Sequence, residues 1–303
     1  MNQQNHDSAE YMGLADRLFA LILLVLPHHL LSSLMYALTR SEWPPLKRLL
    51  IRAAIRVYRV DMEIAQEPDA EKYPSFNAFF TRALKTEARP LSGNNTAVVS
   101  PVDGSVSQAQ TIKNGLLFQA KGQFYSLEEL LGGDRQWAKK FEDGSFATIY
   151  LSPRDYHRIH MPLTGRLQKM AHVPGRLFSV NNACARAIPR LFARNERVVN
   201  LFETEAGPMA VIMVGAIFVA SMDTVWSGCV APRSRSVTDW NYSGSPPDAV
   251  ELEKGAEMGR FNMGSTVILL FAKNAVRWSQ SLQAGVDVCM GEEIGTLEKT
   301  ASH

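Results

Sequence analysis

An aspartate, two histidines and a serine hold most of the chemical potential of this sequence, and they lie in three separate stretches. Pro101-Val102-Asp103-Gly104 places a carboxylate in a tight turn after a short apolar run. Tyr156-His157-Arg158-Ile159-His160-Met161-Pro162 follows closely behind the apolar segment that ends at Leu151. Phe261-Asn262-Met263-Gly264-Ser265-Thr266 runs straight into Val267-Ile268-Leu269-Leu270-Phe271. An Asp-Gly turn is common, so Asp103 alone reads as structural. His157 and His160 are spaced like a metal-ligand pair, yet no third His, Cys or carboxylate stands at a familiar spacing, and two structural histidines are an equal alternative. Together the three stretches supply Asp, His and Ser, the residue types of an activated serine nucleophile. That order occurs among serine proteases, which makes a hydrolase one reading. A nucleophile elbow, G-x-S-x-G, requires glycine at 263 and 267, where this chain has Met263 and Val267, so an α/β-hydrolase is disfavoured.

The elements that must position these residues change character along the chain. The first ninety residues read as helical, with Ser75 as N-cap of a helix over 76–85 that Arg89-Pro90 stops. From about Val98 the pattern becomes short β-type runs between turn residues, clearest at 98–100, 146–151, 209–220 and 266–271. Residues 232–247 are polar and rich in Ser, Gly and Pro, which predicts a mobile loop. The expected fold is α+β, a mostly β catalytic core with a helical N-terminal region.

Composition narrows the classes further. With 303 residues, 46% hydrophobic and 20% charged, the chain is too apolar for disorder. A net charge of +2 lacks the concentrated basic footprint of a nucleic-acid binder. Cys184, Cys229 and Cys289 are odd in number and form no C-x-x-C pair, which argues against a disulfide framework or a cysteine zinc site and for a reducing compartment.

The apolar run at 18–26, closed by Pro27, is too short to cross a bilayer, which takes roughly 20 residues. It is preceded by Asp7, Glu10 and Asp16 against the single Arg17, unlike the basic start of a secretory signal. It reads as a helix at a membrane interface, with a buried core helix as the alternative. Residues 46–59 support the interface reading. Leu46, Leu50, Ala53 and Val57 recur at helical spacing beside a stripe of Arg48, Arg52, Arg56 and Arg59, and Trp43-Pro44-Pro45 breaks the chain before them. A basic amphipathic helix suits an anionic lipid surface, whereas a solvated helix face is the plainer alternative.

Taken in order, several pieces resemble the pyruvoyl-dependent phosphatidylserine decarboxylases. They are Phe76-Asn77-Ala78-Phe79-Phe80-Thr81-Arg82-Ala83-Leu84-Lys85 with Arg89-Pro90, then Pro101-Val102-Asp103-Gly104, Tyr156-His157-Arg158-Ile159-His160-Met161-Pro162 and Gly264-Ser265-Thr266. Met263 stands where the family usually has Leu, a swap that keeps size and apolarity. The resemblance implies a proenzyme that cuts itself at Gly264–Ser265 into a large chain, 1–264, and a small chain, 265–303, which stay together as a heterodimer. It implies that Ser265 attacks the Gly264 carbonyl, that His160 takes the hydroxyl proton and that Asp103 holds the imidazolium. Ser265 then becomes a covalent pyruvoyl group, which forms a Schiff base with phosphatidylserine and releases carbon dioxide to give phosphatidylethanolamine. His157 is the candidate proton donor or substrate-positioning residue. The implied organisation is a helical membrane-associating region, 1–90, and a β-rich catalytic domain, 91–303, peripheral to the cytoplasmic face of the cell membrane. A serine hydrolase using Asp103, His160 and Ser265 without self-cleavage, or a peripheral lipid-binding protein, are the rival readings.

Overall fold

The computed structural model describes residues 28–120, 122–217, 221–230, 235–244, 249–262 and 265–298, with side chains in the first helix from residue 32. The run at 18–26 lies outside the described residues. Helix α1 (His28–Thr39) leads to α2 (Pro44–Tyr58), whose first two positions are the prolines foreseen as a break. There a fixed φ and a missing N–H fit the open first turn. The core-facing side of α2 is Ile51 and Ala54, packed with Val60, Tyr73 and Phe79. The apolar stripe expected at a lipid surface lies off this core-facing side: Leu46 and Leu50 are half-buried, and Ala53 and Val57 are exposed.

Helix α3 (Phe76–Phe80) is capped by Ser75, whose Oγ accepts the Ala78 N–H at 3.2 Å. It ends at Phe80, five residues before the expected end. Residues 83–85 leave the helix to pair with 64–66, through Gln66 N–H to Ala83 O and Lys85 N–H to Ile64 O, each 2.9 Å. Tertiary pairing here overrides a helical pattern.

The strands in chain order are β1 (Ala97–Val99), β2 (Gly104–Thr111), β3 (Leu116–Ala120), β4 (Gln123–Ser126), β5 (Ser145–Leu151), β6 (Arg158–His160), β7 (Gly165–Val173), β8 (Arg197–Thr204) and β9 (Gly207–Val214). They continue as β10 (Met222–Thr224), β11 (Gly228–Val230), β12 (Thr238–Asn241), β13 (Glu251–Leu252), β14 (Glu257–Phe261), β15 (Ser265–Phe271), β16 (Val276–Trp278), β17 (Asp287–Val288) and β18 (Glu293–Leu297). The largest sheet is antiparallel in the order β12-β7-β8-β9-β15-β5-β2-β17, with β13 also on β7. A second sheet runs β11-β10-β14-β6 and a third β1-β18-β16.

Three apolar runs foreseen in the sequence thus become neighbours: β15 lies between β9 and β5, buried along its whole length. Such a continuous apolar strand needs cover on both faces and a partner on both edges. Two expectations change. The run at 209–220 is a strand only to Val214, with 218–220 outside the described residues. Inside 232–247, β12 pairs with β7, Trp240 opposite Met170. Thr238 and Trp240 are half-buried while Asp239 and Asn241 are exposed, a two-residue alternation that turns a polar segment into an edge strand. The architecture is α+β with a mostly β core.

Candidate active site

Strand pairing draws the three chemical stretches to one end of the central sheet. The His160 N–H donates to Pro101 O at 2.8 Å, seating β6 against the turn that carries Asp103. Ser105, just beyond that turn, lies opposite Tyr150, and Ser265 opens β15 opposite Leu151, so both reach the same end of β5. Gly104 is required in this packing, because a Cβ there would stand 2.5 Å from the Tyr150 carbonyl oxygen.

Ser265 is fully buried and its Oγ has no hydrogen-bond partner among the described residues, nor has the neighbouring Thr266 Oγ1. Burying a hydroxyl without a partner costs about 1–3 kcal/mol, so such a group calls for a reason. Its chain neighbours Met263 and Gly264 lie outside the described residues, and with them the expected cleavage bond. Just before them, Asn262 is pinned on three sides. Its Nδ2 donates to Ser221 Oγ at 2.7 Å and to Asp223 Oδ1 at 2.9 Å, while its Oδ1 accepts from Asn77 Nδ2 at 3.1 Å.

His157 is completely buried and stacked on Phe80, with ring centroids 4.0 Å apart. Its Nε2 lies 3.1 Å from Ser152 O, and since a carbonyl only accepts, Nε2 carries the proton. Nδ1 is then a bare acceptor, with no partner among the described residues. Burial, helped by the Arg82 charge, pushes the His157 pKa down to about 3, so the ring is neutral at pH 7. The holding turn is itself closed by Asp155, whose Oδ2 accepts the Ser152 N–H at 2.6 Å.

His160 is also held, on both nitrogens. Nδ1 donates to Gly255 O at 2.8 Å, which leaves Nε2 as acceptor for the Tyr156 hydroxyl at 3.1 Å. Burial lowers its pKa, against the raising pull of the Gly255 carbonyl, Glu257 and Asp103. Asp103 does not bond to this ring. Its Oδ1 accepts from Arg89 Nε and from the Met290 N–H, each at 2.8 Å, and Arg89 Nη2 takes Oδ2. The expected direct support of the imidazolium by Asp103 is replaced by a carbonyl below the ring and an aspartate acting through space. The Asp103 bonds raise the Arg89 pKa, as a tight ion pair should.

Sequence reasoning singled out Asp103, His157, His160 and Ser265 as catalytic candidates, and the structure brings their backbones to one end of the central sheet without linking Ser265 Oγ to either ring. It missed Tyr156 as the partner of His160, Arg89 as the partner of Asp103, and Asn262. Arg89 lay inside a quoted motif, and Tyr156 stands four residues before His160. Asn262 left no pattern to read. Among the described residues no group of three or more His, Cys, Asp or Glu gathers as a metal site. Beside the site lies an apolar cleft of about 200 Å³, lined by Ala54 and Tyr58 of α2, Phe76 and Phe80 of α3, Leu151 and Val180 among others. Phe80 thus faces both the cleft and His157, and Leu151 both the cleft and Ser265.

Comparison with known proteins adds a second line of support. Residues 76–296 match the family described as Phosphatidylserine decarboxylase, and residues 18–59 match a family described as PSD. The phosphatidylserine decarboxylase proenzyme of Stutzerimonas stutzeri is 52% identical over 287 residues, covering 95% of this chain and 97% of that one. The proenzyme of Azotobacter vinelandii is 53% identical over 280 residues, 92% and 98% of the two chains. That of Bordetella pertussis is 51% identical over 290 residues, 96% and 98%.

Proposed function

Because this chain belongs to the phosphatidylserine decarboxylase family, we propose that Ser265 is both the nucleophile of a self-cleavage and the precursor of the group that decarboxylates the lipid. The overall reaction converts phosphatidylserine into phosphatidylethanolamine and carbon dioxide, a step of phospholipid synthesis. The observation that carries the finer reading is the orphaned, buried Ser265 Oγ at the head of the central strand, beside two neutral, clamped histidines.

In processing, Ser265 Oγ bonds to the Gly264 carbonyl carbon and the 264–265 C–N bond breaks, giving an ester. His160 Nε2, once released by Tyr156, takes the hydroxyl proton and Asp103 stabilises the charge through space. Removal of the Cα proton of residue 265 then expels the Gly264 carboxylate and leaves a dehydroalanine, which takes up water and loses ammonia. A pyruvoyl group at 265 supplies an electron sink for the carbanion formed as carbon dioxide leaves. The small, buried position fits that group, since elimination carries the unpartnered Oγ away with the Gly264 carboxylate and leaves a methyl at Cβ, which removes a stranded donor. His157 Nδ1, a bare acceptor on a neutral ring, accepts a hydrogen bond from the substrate amine and positions it for the reaction.

The division is into a helical membrane-associating region, 1–90, and a catalytic domain, 91–303, cut into chains 1–264 and 265–303. The two chains remain a heterodimer because β15 is paired on both edges and buried. No helix of the described residues is long and apolar enough to cross a membrane. The enzyme binds as a peripheral protein to an anionic bilayer at the cytoplasmic face, with α2 as part of the contact and the apolar cleft behind it admitting the lipid. Intact mass spectrometry of the protein beside Ser265→Ala tests the reading. We expect two chains dividing after Gly264, the small one beginning with a pyruvoyl group, and a variant that stays whole and inactive. A wild-type chain that is uncut yet decarboxylates the lipid overturns it.

A further inference from the structure

Arg82 is a buried cation with no ion-pair partner among the described residues. It follows α3, is 3% exposed, and its only side-chain hydrogen bond among the described residues runs from Nη2 to Arg154 O at 3.2 Å. Nε and Nη1 are buried without an acceptor. Asp103, Asp155 and Tyr73 reach it only through space, and burial lowers its pKa. A guanidinium removed from water costs several kcal/mol unless an opposite charge or a full set of acceptors meets it. Its placement is specific. Arg154 belongs to the 152–155 turn whose Ser152 carbonyl holds His157, so one turn carries both the unmatched cation and the ring with the bare Nδ1. The Arg82 charge is felt at His157.

We propose that Arg82 is the anion subsite of the active site and takes the phosphodiester of the lipid headgroup. The inference rests on the decarboxylase reading and adds to it a binding residue that the site chemistry above does not use. Two oxyanions are present in the substrate headgroup, the phosphodiester and the serine carboxylate. The carboxylate must give up its charge as carbon dioxide departs, and a cation fixed on it would stabilise the ground state more than the transition state. The phosphodiester keeps its charge from substrate to product, so pairing it with Arg82 binds the lipid without opposing the chemistry. Guanidinium groups suit phosphate oxygens in both charge and geometry.

The test uses the processed enzyme and water-soluble probes, with carbon dioxide release from phosphatidylserine in neutral detergent micelles as the assay. On the wild type, glycerophosphoethanolamine should inhibit at least about tenfold more strongly than 2-aminoethyl glyceryl ether, its analogue without phosphate. Arg82→Gln should raise KM for phosphatidylserine by about 10- to 100-fold with a smaller change in kcat. It should weaken glycerophosphoethanolamine inhibition by a similar factor and leave inhibition by L-serine, which has carboxylate but no phosphate, unchanged. Arg82→Lys should recover part of both losses. Loss of serine inhibition alone would assign Arg82 to the carboxylate and overturn the proposal. So would equal inhibition of the wild type by the two glycerol compounds, a result that needs no variant to fold or process. Absence of carbon dioxide release by the wild type would instead reject the decarboxylase reading itself.

Discussion

Strand β15 and helix α2 are both rich in aliphatic residues, and the fold treats them in opposite ways. All seven residues of β15 are buried and paired with β5, and Thr266–Phe271 are paired with β9 as well. Of the fifteen residues of α2 only Ile51 and Ala54 are buried, while Leu49 and Val57 are 66% and 70% exposed. The strand completes its apolar contacts within the chain. The helix keeps an apolar surplus on its outer side, interleaved with arginines, that no other described residue covers. The polar exceptions teach as much. In β15 they are Ser265 and Thr266, at the end where the histidines stand. In α2 they are Lys47, whose Nζ donates to Tyr73 O at 2.7 Å, Arg48 and Arg52, tied to Glu71, and Arg56, which has no ion pair among the described residues.

The sharpest way to break this contrast is truncation in each element. Leu269→Ala removes a fully buried side chain from the middle of β15 and should cost about 2–5 kcal/mol. Leu49→Ala, on the open face of α2, should stay within about 0.5 kcal/mol. Denaturant midpoints in the uncut Ser265→Ala background compare them with one chain to unfold. Equal losses would mean that α2 is packed as tightly as the core, and the comparison would fail.

How much of this was legible beforehand follows the same line. The central strands 146–151 and 266–271 announce themselves, because burial on both faces demands an unbroken apolar run. The helix at 44–58 is equally plain, through Pro44-Pro45 and its periodicity, but its core face could not be read locally: Ile51 and Ala54 turn inward, chosen by Tyr73 and Phe79 from another part of the chain. The early end of α3 and the strand β12 depend on partners far along the sequence and leave little local trace. In the site, residue types gave Asp103, His157, His160 and Ser265. The bonding did not follow from types. Asp103 and His160 each satisfy their polar atoms with Arg89, Gly255 and Tyr156, which a triad template would leave out.

A second test titrates the core. His157 is neutral and buried, with a native pKa of about 3 against 6.5 for an ordinary histidine. Between those values the unfolded chain binds a proton that the native state refuses, so stability is complete above about pH 6.5 and falls as the pH drops. From pH 7 to pH 5 the loss from this one ring should be about 2 kcal/mol. His160, lowered in the same direction, adds to the slope. His157→Gln should flatten it, measured by denaturant midpoints across that range; an unchanged slope would place the titration elsewhere.

The smallest effect is the most discriminating for α2. Val57→Ser and Arg56→Gln alter adjacent exposed positions of the outer face, one apolar and one charged. Each contact with an anionic bilayer is worth on the order of 1 kcal/mol, so each variant should weaken vesicle binding about fivefold with an unchanged thermal midpoint. The two losses should then separate. On neutral vesicles, or at high salt, the Arg56→Gln deficit should vanish, because it acts through a screened surface potential. The Val57→Ser deficit should persist, because it acts through apolar area removed from water. Sedimentation with vesicles of each composition reads both. If neither variant changes binding, the open face of α2 is a solvated surface, and its contrast with β15 is one of exposure alone.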